Sequence, residues 1–310
     1  MKALTSKIKE LLGKKPNGSL GNLHHKLEGR FTFVLTKPDG TSRTVADFPN
    51  LITNGGLDRI GSGLTYLGYI HLGTGSTAPT FTDAALTSFL ASSNTSASTL
   101  DQVSTCANSS PYYAQYTINK RFAAGIATGN LAEVGVSWSN TTGSLFSHAL
   151  ILDGGGNPTT ITKLADEVLD VLYTLRIYIS LADVSATVNG YATVIRAAYA
   201  TTVYTGSIGW SYSFSAVAIH FFTTQTLGAI TSAPSGTTAS IETCTFNAYV
   251  DGTYTRTGQV YAGLNNGNAN LGSLLFKAGF GTYQVSFTPV IPKDNTKILT
   301  IAWSISWGRV

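Results

Sequence analysis

Three carboxylates close together in the segment "LADEVLD" are the first candidates for chemistry in this chain: Asp166, Glu167 and Asp170. Two carboxylates hydrolyse a glycosidic bond when they lie about 5–10 Å apart in a cleft. The alternating pattern around them predicts a strand, which places Asp166 and Asp170 on one face about 13 Å apart. That separation is too long for a catalytic pair, so the sequence predicts a solvated strand end here.

The histidines, cysteines and glycine-rich segments form no recognisable catalytic or metal-binding pattern. His71, His148 and His220 are scattered along strand-like runs, which favours structural roles, and neither HExxH nor GxSxG occurs. Cys106 and Cys244 lack zinc spacing. The run "LGTGSTAPT" lacks the Lys-Ser/Thr ending of a phosphate loop, and "DGGGN" has too few carboxylates for tight calcium binding. The sequence therefore predicts no enzyme, no metal and no cofactor.

Aromatic side chains are the remaining candidates for ligand contact. Trp210 and Tyr212, with Tyr199 and Tyr204 nearby, can form a platform on which sugar rings stack. The same residues can equally form cross-strand pairs within a sheet. Both interpretations stay open, with Trp210 and Tyr212 as the candidate glycan contacts.

Composition indicates a β-rich and nearly neutral body. Only 12% of the 310 residues are charged, 43% are hydrophobic, and 32 glycines supply turns. Residues 1–30 contain seven basic and two acidic side chains, which accounts for the net charge of +4 and leaves the rest of the chain close to neutral. A protein that binds nucleic acid would carry a basic face on its body. We therefore predict no nucleic-acid partner.

Two long alternating runs suggest an internal repeat. The run "EVLDVLYTLRIYIS" aligns without a gap with the closing "KILTIAWSISWGRV", and "GSLFSHALI" before the first resembles "GSLLFKAGF" before the second. Period-two alternation predicts strands, and frequent glycine turns predict antiparallel sandwiches. We predict a mainly β protein with two duplicated β-sandwich domains, at 28–182 and 183–310, and a short helix near 82–91.

The first 27 residues form a third segment. Leu4, Ile8, Leu11 and Leu12 lie on one side of a predicted amphipathic helix with lysines around the rest, and "PNGSLGN" follows as a flexible break. The apolar stripe must dock on the body, on a sister subunit, on another protein or on a membrane surface. No run is long and apolar enough to insert in a membrane, and no secretory signal is present. We interpret residues 1–27 as an attachment leader and linker of a protein made in a cytoplasm.

Several motifs in succession resemble a recurrent module of tailed-bacteriophage virion proteins. They are "NLITNGGLDRIGSG", "GTGSTAPTFTDAAL" and "LADEVLDVLY", and the closing "TIAWSISWGRV" fits the same group. The resemblance covers roughly residues 50–180 and excludes the basic leader. It implies a non-enzymatic virion component, usually oligomeric, of the kind found in tail fibres and tail appendages.

From the resemblance and the composition together we expect a tail fibre or appendage subunit of the virion, made in the cytoplasm of the bacterial host. Its leader would attach it to the tail tube, connector or adaptor through Leu4, Ile8, Leu11 and Leu12, in three or six copies. The alternatives are a capsid decoration, head-fibre or tail sheath-like protein, and, in another class, a glycan-binding adhesin that contacts a host surface glycan.

Overall fold

The computed structural model describes residues 19–107, 109–179, 181–198, 217–278 and 281–310. Almost all of the regular structure within these residues is β-strand, as the composition predicts. The strands of the first half are β1 (Ser19–Thr36), β2 (Ser42–Pro49), β3 (Leu51–Ile52), β4 (Tyr69–Gly73), β5 (Phe89–Ser93), β6 (Val103–Cys106), β7 (Tyr113–Phe122), β8 (Gly129–Leu131), β9 (Glu133–Ser137), β10 (Leu145–Leu150), β11 (Ile161–Lys163) and β12 (Val168–Tyr178).

The second half continues the same style of short and long strands joined by turns. Its strands are β13 (Val184–Val188), β14 (Tyr191–Ala197), β15 (Val217–Phe222), β16 (Thr238–Phe246), β17 (Thr255–Ala262), β18 (Asn270–Ala278), β19 (Gly281–Pro292) and β20 (Leu299–Arg309).

One large sheet runs through both halves of the chain. Among the described residues it has thirteen strands in the order β13-β14-β19-β18-β15-β16-β17-β20-β1-β12-β7-β6, with β2 also paired to β1. A five-stranded sheet, β3-β10-β9-β4-β5, packs against the first half of it, and β8 pairs with β11. Phe146 of β10 meets Tyr173 of β12 with ring centroids 6.5 Å apart, which marks this face-to-face contact.

The two long alternating runs form β12 and β20, and their apolar faces are buried as the alternation predicts. Leu169, Tyr173, Ile301, Trp303 and Trp307 are each at most 1% exposed. Neither strand lies at an edge, because β12 is between β1 and β7 and β20 is between β17 and β1. Each of the two strands is therefore hydrogen-bonded on both sides.

β1 connects the two halves of the sheet. Its first part, Ser19–Leu27, pairs in parallel with β20, and its later part, Lys26–Thr36, pairs antiparallel with β12. Leu20, Leu23 and Leu27 are at most 2% exposed, so the first part belongs to the core. The prediction that 1–27 is leader and linker is thus wrong from Ser19 onward. The predicted helix with Leu4, Ile8, Leu11 and Leu12 lies outside the described residues.

A short helix is present, but not in the segment near 82–91. α1 spans Asn54–Gly61, and its N-cap residue Thr53 accepts a hydrogen bond from the backbone N–H of Gly56 at 2.9 Å. The segment predicted as a helix near 82–91 instead consists of turns followed by β5. α1 also joins the halves, since Trp307 Nε1 donates to Leu57 O at 3.0 Å and Tyr249 OH donates to Asp58 Oδ1 at 2.6 Å.

The same order of pairing occurs in both halves. β9 lies between β4 and β10, just as β18 lies between β15 and β19. β7 pairs with β12 beginning at Phe122↔Leu169, just as β17 pairs with β20 beginning at Ala262↔Leu299. By this order β18 corresponds to β9. The run "GSLLFKAGF" forms β18, but the run that it resembles, "GSLFSHALI", forms β10. This sequence match therefore aligns two strands that occupy different places in the order.

Candidate functional site

The residues predicted for attachment and for glycan contact are not among those that the structure describes. Leu4, Ile8, Leu11 and Leu12 precede β1, and Trp210 and Tyr212 fall between the described ranges 181–198 and 217–278. Their roles therefore remain predictions.

The most elaborate polar cluster in the described chain centres on His148. Its Nδ1 is 2.7 Å from Asp83 Oδ2, and its Nε2 is 3.0 Å from Glu133 Oε2. His148 and Glu133 are at most 1% exposed. Burial acts to raise the pKa of Asp83, but hydrogen bonds from Thr80 and His148 outweigh it and hold that pKa below its usual value.

Glu133 holds the loop between β4 and β5 in place. Its carboxylate accepts hydrogen bonds from the backbone N–H groups of Gly75, Thr87 and Ser88 at 2.7–3.0 Å. A Cβ added at Gly75 would lie 2.4 Å from Glu133 Oε1, so this close approach requires glycine. The same interactions explain why 82–91 is not helical, because its backbone donors bind Glu133 instead of helical carbonyl groups.

The second half contains a buried amide side chain that also binds loop backbone. Gln284 of β19 pairs with Leu275 of β18, and His148 of β10 pairs with Gly135 of β9. Gln284 Oε1 accepts from the Gly228 N–H at 2.7 Å, and its Nε2 donates to Ala229 O at 3.0 Å. Buried polar side chains thus hold a loop in each half, Glu133 and His148 in the first and Gln284 in the second. The described groups around His148 serve this purpose.

The other histidines for which bonds are described also have structural partners. His71 is buried with Nε2 2.9 Å from Ser139 O, which agrees with its predicted structural role. His25, expected in a linker, is fully buried in β1, with Nε2 2.8 Å from Tyr283 Oη. Burial lowers the pKa of His25 to about 4, because the charged imidazolium loses its hydration there.

The three carboxylates of "LADEVLD" lie in three different local environments. Glu167 is only 4% exposed and accepts the Leu164 N–H at 2.8 Å, so it differs from the solvated residue that the sequence predicts. Asp170 pairs with Arg121 at 2.7 Å, and Asp166 is exposed. Glu167 and Asp170 thus have separate partners, and the prediction that these carboxylates are not a catalytic pair stays a prediction.

Two surface depressions lie near the middle of β1. One, of about 400 Å³, is bounded by Gly29, Asn50, Phe81 and Arg309 among others. The second, of about 240 Å³, is lined by charged and amide side chains, among which Arg30 pairs with Asp47 at 2.5 Å and Arg176 donates to Gln115 at 2.9 Å. Two arginines, Arg30 and Arg176, and two carboxylates, Glu28 and Asp47, line this second depression, so it has no excess charge with which to attract an ion.

Within the described ranges, no group of three or more His, Cys, Asp or Glu side chains is arranged to hold a metal ion. No helix in the same part of the chain is long and apolar enough to cross a membrane. The chain matches no protein-family model, no curated protein and no solved structure.

Proposed function

We propose that this chain is a non-enzymatic structural component of a bacteriophage virion, a tail fibre or appendage subunit attached to the tail tube, connector or adaptor by its N-terminal segment. The supporting observation is that residues from the motifs that resemble phage virion modules bind and fix the backbone or side chains of neighbouring segments. Thr53 of "NLITN" caps α1 and donates to Leu145 O at 2.7 Å. Asp83 and Glu167, from the other two motifs, bind His148 and the Leu164 backbone respectively.

These contacts give Thr53, Asp83 and Glu167 the same structural role. Each fixes a loop or helix end, and none faces a cleft with other reactive groups. A motif set made of such residues is expected of a rigid module that assembles with others, whereas an enzyme family would be expected to share reactive side chains. This is the reason for preferring a passive virion part.

A duplicated β-sandwich origin is part of the proposal. The matching strand order supports it, and so do two matching lysines that are both buried. Lys163 Nζ donates to Ala123 O at 3.1 Å and Lys293 Nζ donates to Gly263 O at 2.7 Å, each in the turn that follows the matching strand, β7 or β17. A buried lysine is uncommon unless its charge is satisfied, so its presence at both places favours a shared ancestor.

Imaging of purified particles tests the virion assignment. Antibody labelling, or a difference map between particles with and without this chain, should place it on the tail in three or six copies. Density on the head or around the tail sheath would assign the capsid-decoration, head-fibre or sheath-like alternative instead. Absence from the particle would refute the proposal.

The attachment role is tested by deleting residues 1–15. Because β1 begins at Ser19, the body should stay folded while the protein is lost from particles. Substituting Leu4, Ile8, Leu11 and Leu12 with serine should have the same effect. Thr5→Ala with Ser6→Ala is the control, and full occupancy of the four-serine variant would refute the role of the apolar stripe.

The adhesin alternative depends on Trp210 and Tyr212. Binding to a glycan array that is lost in both Trp210→Ala and Tyr212→Ala would favour it over a purely structural part. An intact chain that binds neither glycans nor host cells would count against it.

A further inference from the structure

Four large apolar side chains are exposed together near the beginning of β20. Ile241, Tyr261, Leu264 and Ile298 are 60%, 51%, 47% and 52% exposed. About half of each side chain faces solvent, which amounts to about 350 Å² in total. A contiguous apolar area of that size on a protein surface commonly marks a binding site.

The strand register places Tyr261 and Ile298 side by side on one face of the sheet. Tyr261 pairs with Thr300, so Ile298 is its diagonal neighbour on the outer face of the sheet. Leu264 lies in the turn that follows β17, and Ala262 pairs with Leu299 next to Ile298. We refer to Ile241, Tyr261, Leu264 and Ile298 as the β17 patch.

Ile241 lies on the other side of Tyr261, because the pair Cys244↔Val260 places Thr243 opposite Tyr261 and Ile241 two residues along the same face of β16. The two neighbours of Ile241 along β16 point to the other face of the sheet, where they contact the turn that follows β17. The residue after Ile241, Glu242, accepts a hydrogen bond from Asn266 Nδ2 at 3.0 Å. The residue before it, Ser240, has its hydroxyl 3.1 Å from where a Cβ of Gly267 would be. Ile241 and Ile298 therefore lie on either side of Tyr261 on the outer face, and the turn that carries Leu264 adjoins them at the end of β17.

The first half of the chain shows that the fold does not require apolar residues here. By strand order, Tyr261 and Thr300 correspond to Arg121 and Asp170, which are joined by two hydrogen bonds of 2.7 Å. An ion pair in one half and an exposed tyrosine in the other occupy the same place. The apolar character of the β17 patch therefore needs an explanation other than folding.

The leader joins the body beside this patch. Ser19 pairs with Ala302, four residues after Ile298 along β20. At strand spacing, Ile298 is about 14 Å from Ser19. Residues 13–18 connect the predicted apolar stripe to β1, and six extended residues span about 20 Å. The stripe is thus within reach of the patch of its own chain.

We propose that residues 4–12 dock on the β17 patch of the same chain, with Leu4, Ile8, Leu11 and Leu12 against Ile241, Tyr261, Leu264 and Ile298. In the helix predicted from the sequence, Leu4 and Leu11 are about 10 Å apart along the axis. Ile241 and Ile298 lie on either side of β17, two strand spacings or about 10 Å apart. The stripe and the patch therefore match in length as well as in apolar character.

Docking within one chain is favoured over docking between copies in the free protein. A short linker gives its own leader an effective concentration in the millimolar range, well above that of a second copy in dilute solution. The inference deepens the proposed attachment role, because a tail partner must then displace the leader from the patch. It is tested on the free chain, so its failure is distinguishable from failure of the virion assignment.

Amide hydrogen exchange of the full chain measures the docking directly. We expect residues 4–12 to exchange at least roughly tenfold more slowly in the intact chain than in a free peptide of residues 1–18. The double variant Tyr261→Arg with Thr300→Asp reproduces the ion pair of the first half and should return the leader to the exchange rate of the peptide. The control is Ile126→Ser with Leu164→Ser, which alters two other exposed apolar residues, at the turns beside β7 and β12, and should preserve the protection.

Three results would overturn the inference. The first is a leader that exchanges as fast in the intact chain as in the peptide. The second is a leader that still exchanges slowly in the double variant, when cooperative unfolding shows that this variant is folded. The third is protection that disappears on dilution together with a dimer or higher species measured by light scattering, because a neighbouring copy would then be the occupant.

Discussion

Removing residues 1–27 should unfold the second half of the protein, whereas removing residues 1–15 should not. The longer deletion takes away Leu20, Leu23 and Leu27, each at most 2% exposed, and the ladder that runs from Ser19↔Ala302 to Leu27↔Arg309. Full burial of a leucine contributes about 2 kcal/mol, so the three contribute about 6 kcal/mol. That amount is comparable with the whole stability of a typical domain, about 5–15 kcal/mol.

Urea unfolding followed by tryptophan fluorescence provides the assay. Trp303 and Trp307 lie on β20, and Trp303 is in the core that β1 covers, so their emission reports on the second half. The chain without residues 1–15 should unfold cooperatively, and the chain without residues 1–27 should show exposed tryptophans before urea is added. A synthetic peptide of residues 19–29 should restore the buried emission by taking the place of the missing strand. Equal urea midpoints for the two deletions would refute the role assigned to β1.

Three further predictions follow from buried groups. Glu133→Gln should lower the free energy of unfolding by about 3 kcal/mol, because it removes a buried charge from its partners, whereas the exposed Asp166→Asn should have little effect in the same urea titration. Because folding lowers the pKa of His25 from 6.5 to about 4, the unfolded chain binds more protons than the folded chain between these pH values. The free energy of unfolding should therefore fall by about 3 kcal/mol as the pH decreases from 6.5 to 4. Urea titrations at each pH measure this decrease, and His25→Phe should abolish the part of it that His25 causes. Gly258→Ala places a Cβ 2.5 Å from Trp303 and should cost about 1–3 kcal/mol, whereas Gly154→Ala, with open space around it, should be neutral; equal thermal midpoints would contradict the packing argument.

Sequence reasoning identified the strands in which one face is buried without interruption. In β12, residues 169, 171, 173, 175 and 177 are buried and the residues between them are partly exposed, which is the period-two pattern that the sequence predicts. The alternation is visible because neighbouring strands cover the same face along the whole strand. The same reasoning found β20 and its buried face.

The first part of β1 was missed because its alternation is interrupted. The register with β20 shifts between Leu20 and Asn22, so Leu20 and Leu23 are both buried although they are three residues apart. A bulge reverses the parity of all later residues. The histidine at position 25 and the glycine at 21 also make the segment resemble a linker, and the strand that covers it comes from almost 300 residues later in the chain.

The false helix near 82–91 has a different cause. Thr82 and the apolar residues after it fit a helical stripe, and nothing local to the sequence opposes that interpretation. The decisive partners are distant, since Glu133 binds the backbone at Thr87 and Ser88 and His148 binds Asp83. Tertiary hydrogen bonds of this kind override local propensity. The buried cluster was unpredictable for the same reason, because its members come from three separate segments.

The direction of β1 relative to its neighbours has a mechanical consequence. A pull on the leader along the axis of β1 acts parallel to β20 and β12, the two strands that pair with β1. The ladder with β20 runs from Ser19↔Ala302 to Leu27↔Arg309, and the ladder with β12 runs from Lys26↔Tyr178 to Thr36↔Val168. Hydrogen bonds perpendicular to such a pull are strained together in shear, whereas a pull across the strands would open them one after another. A chain tethered through its leader would resist tension through two successive ladders before either half came apart.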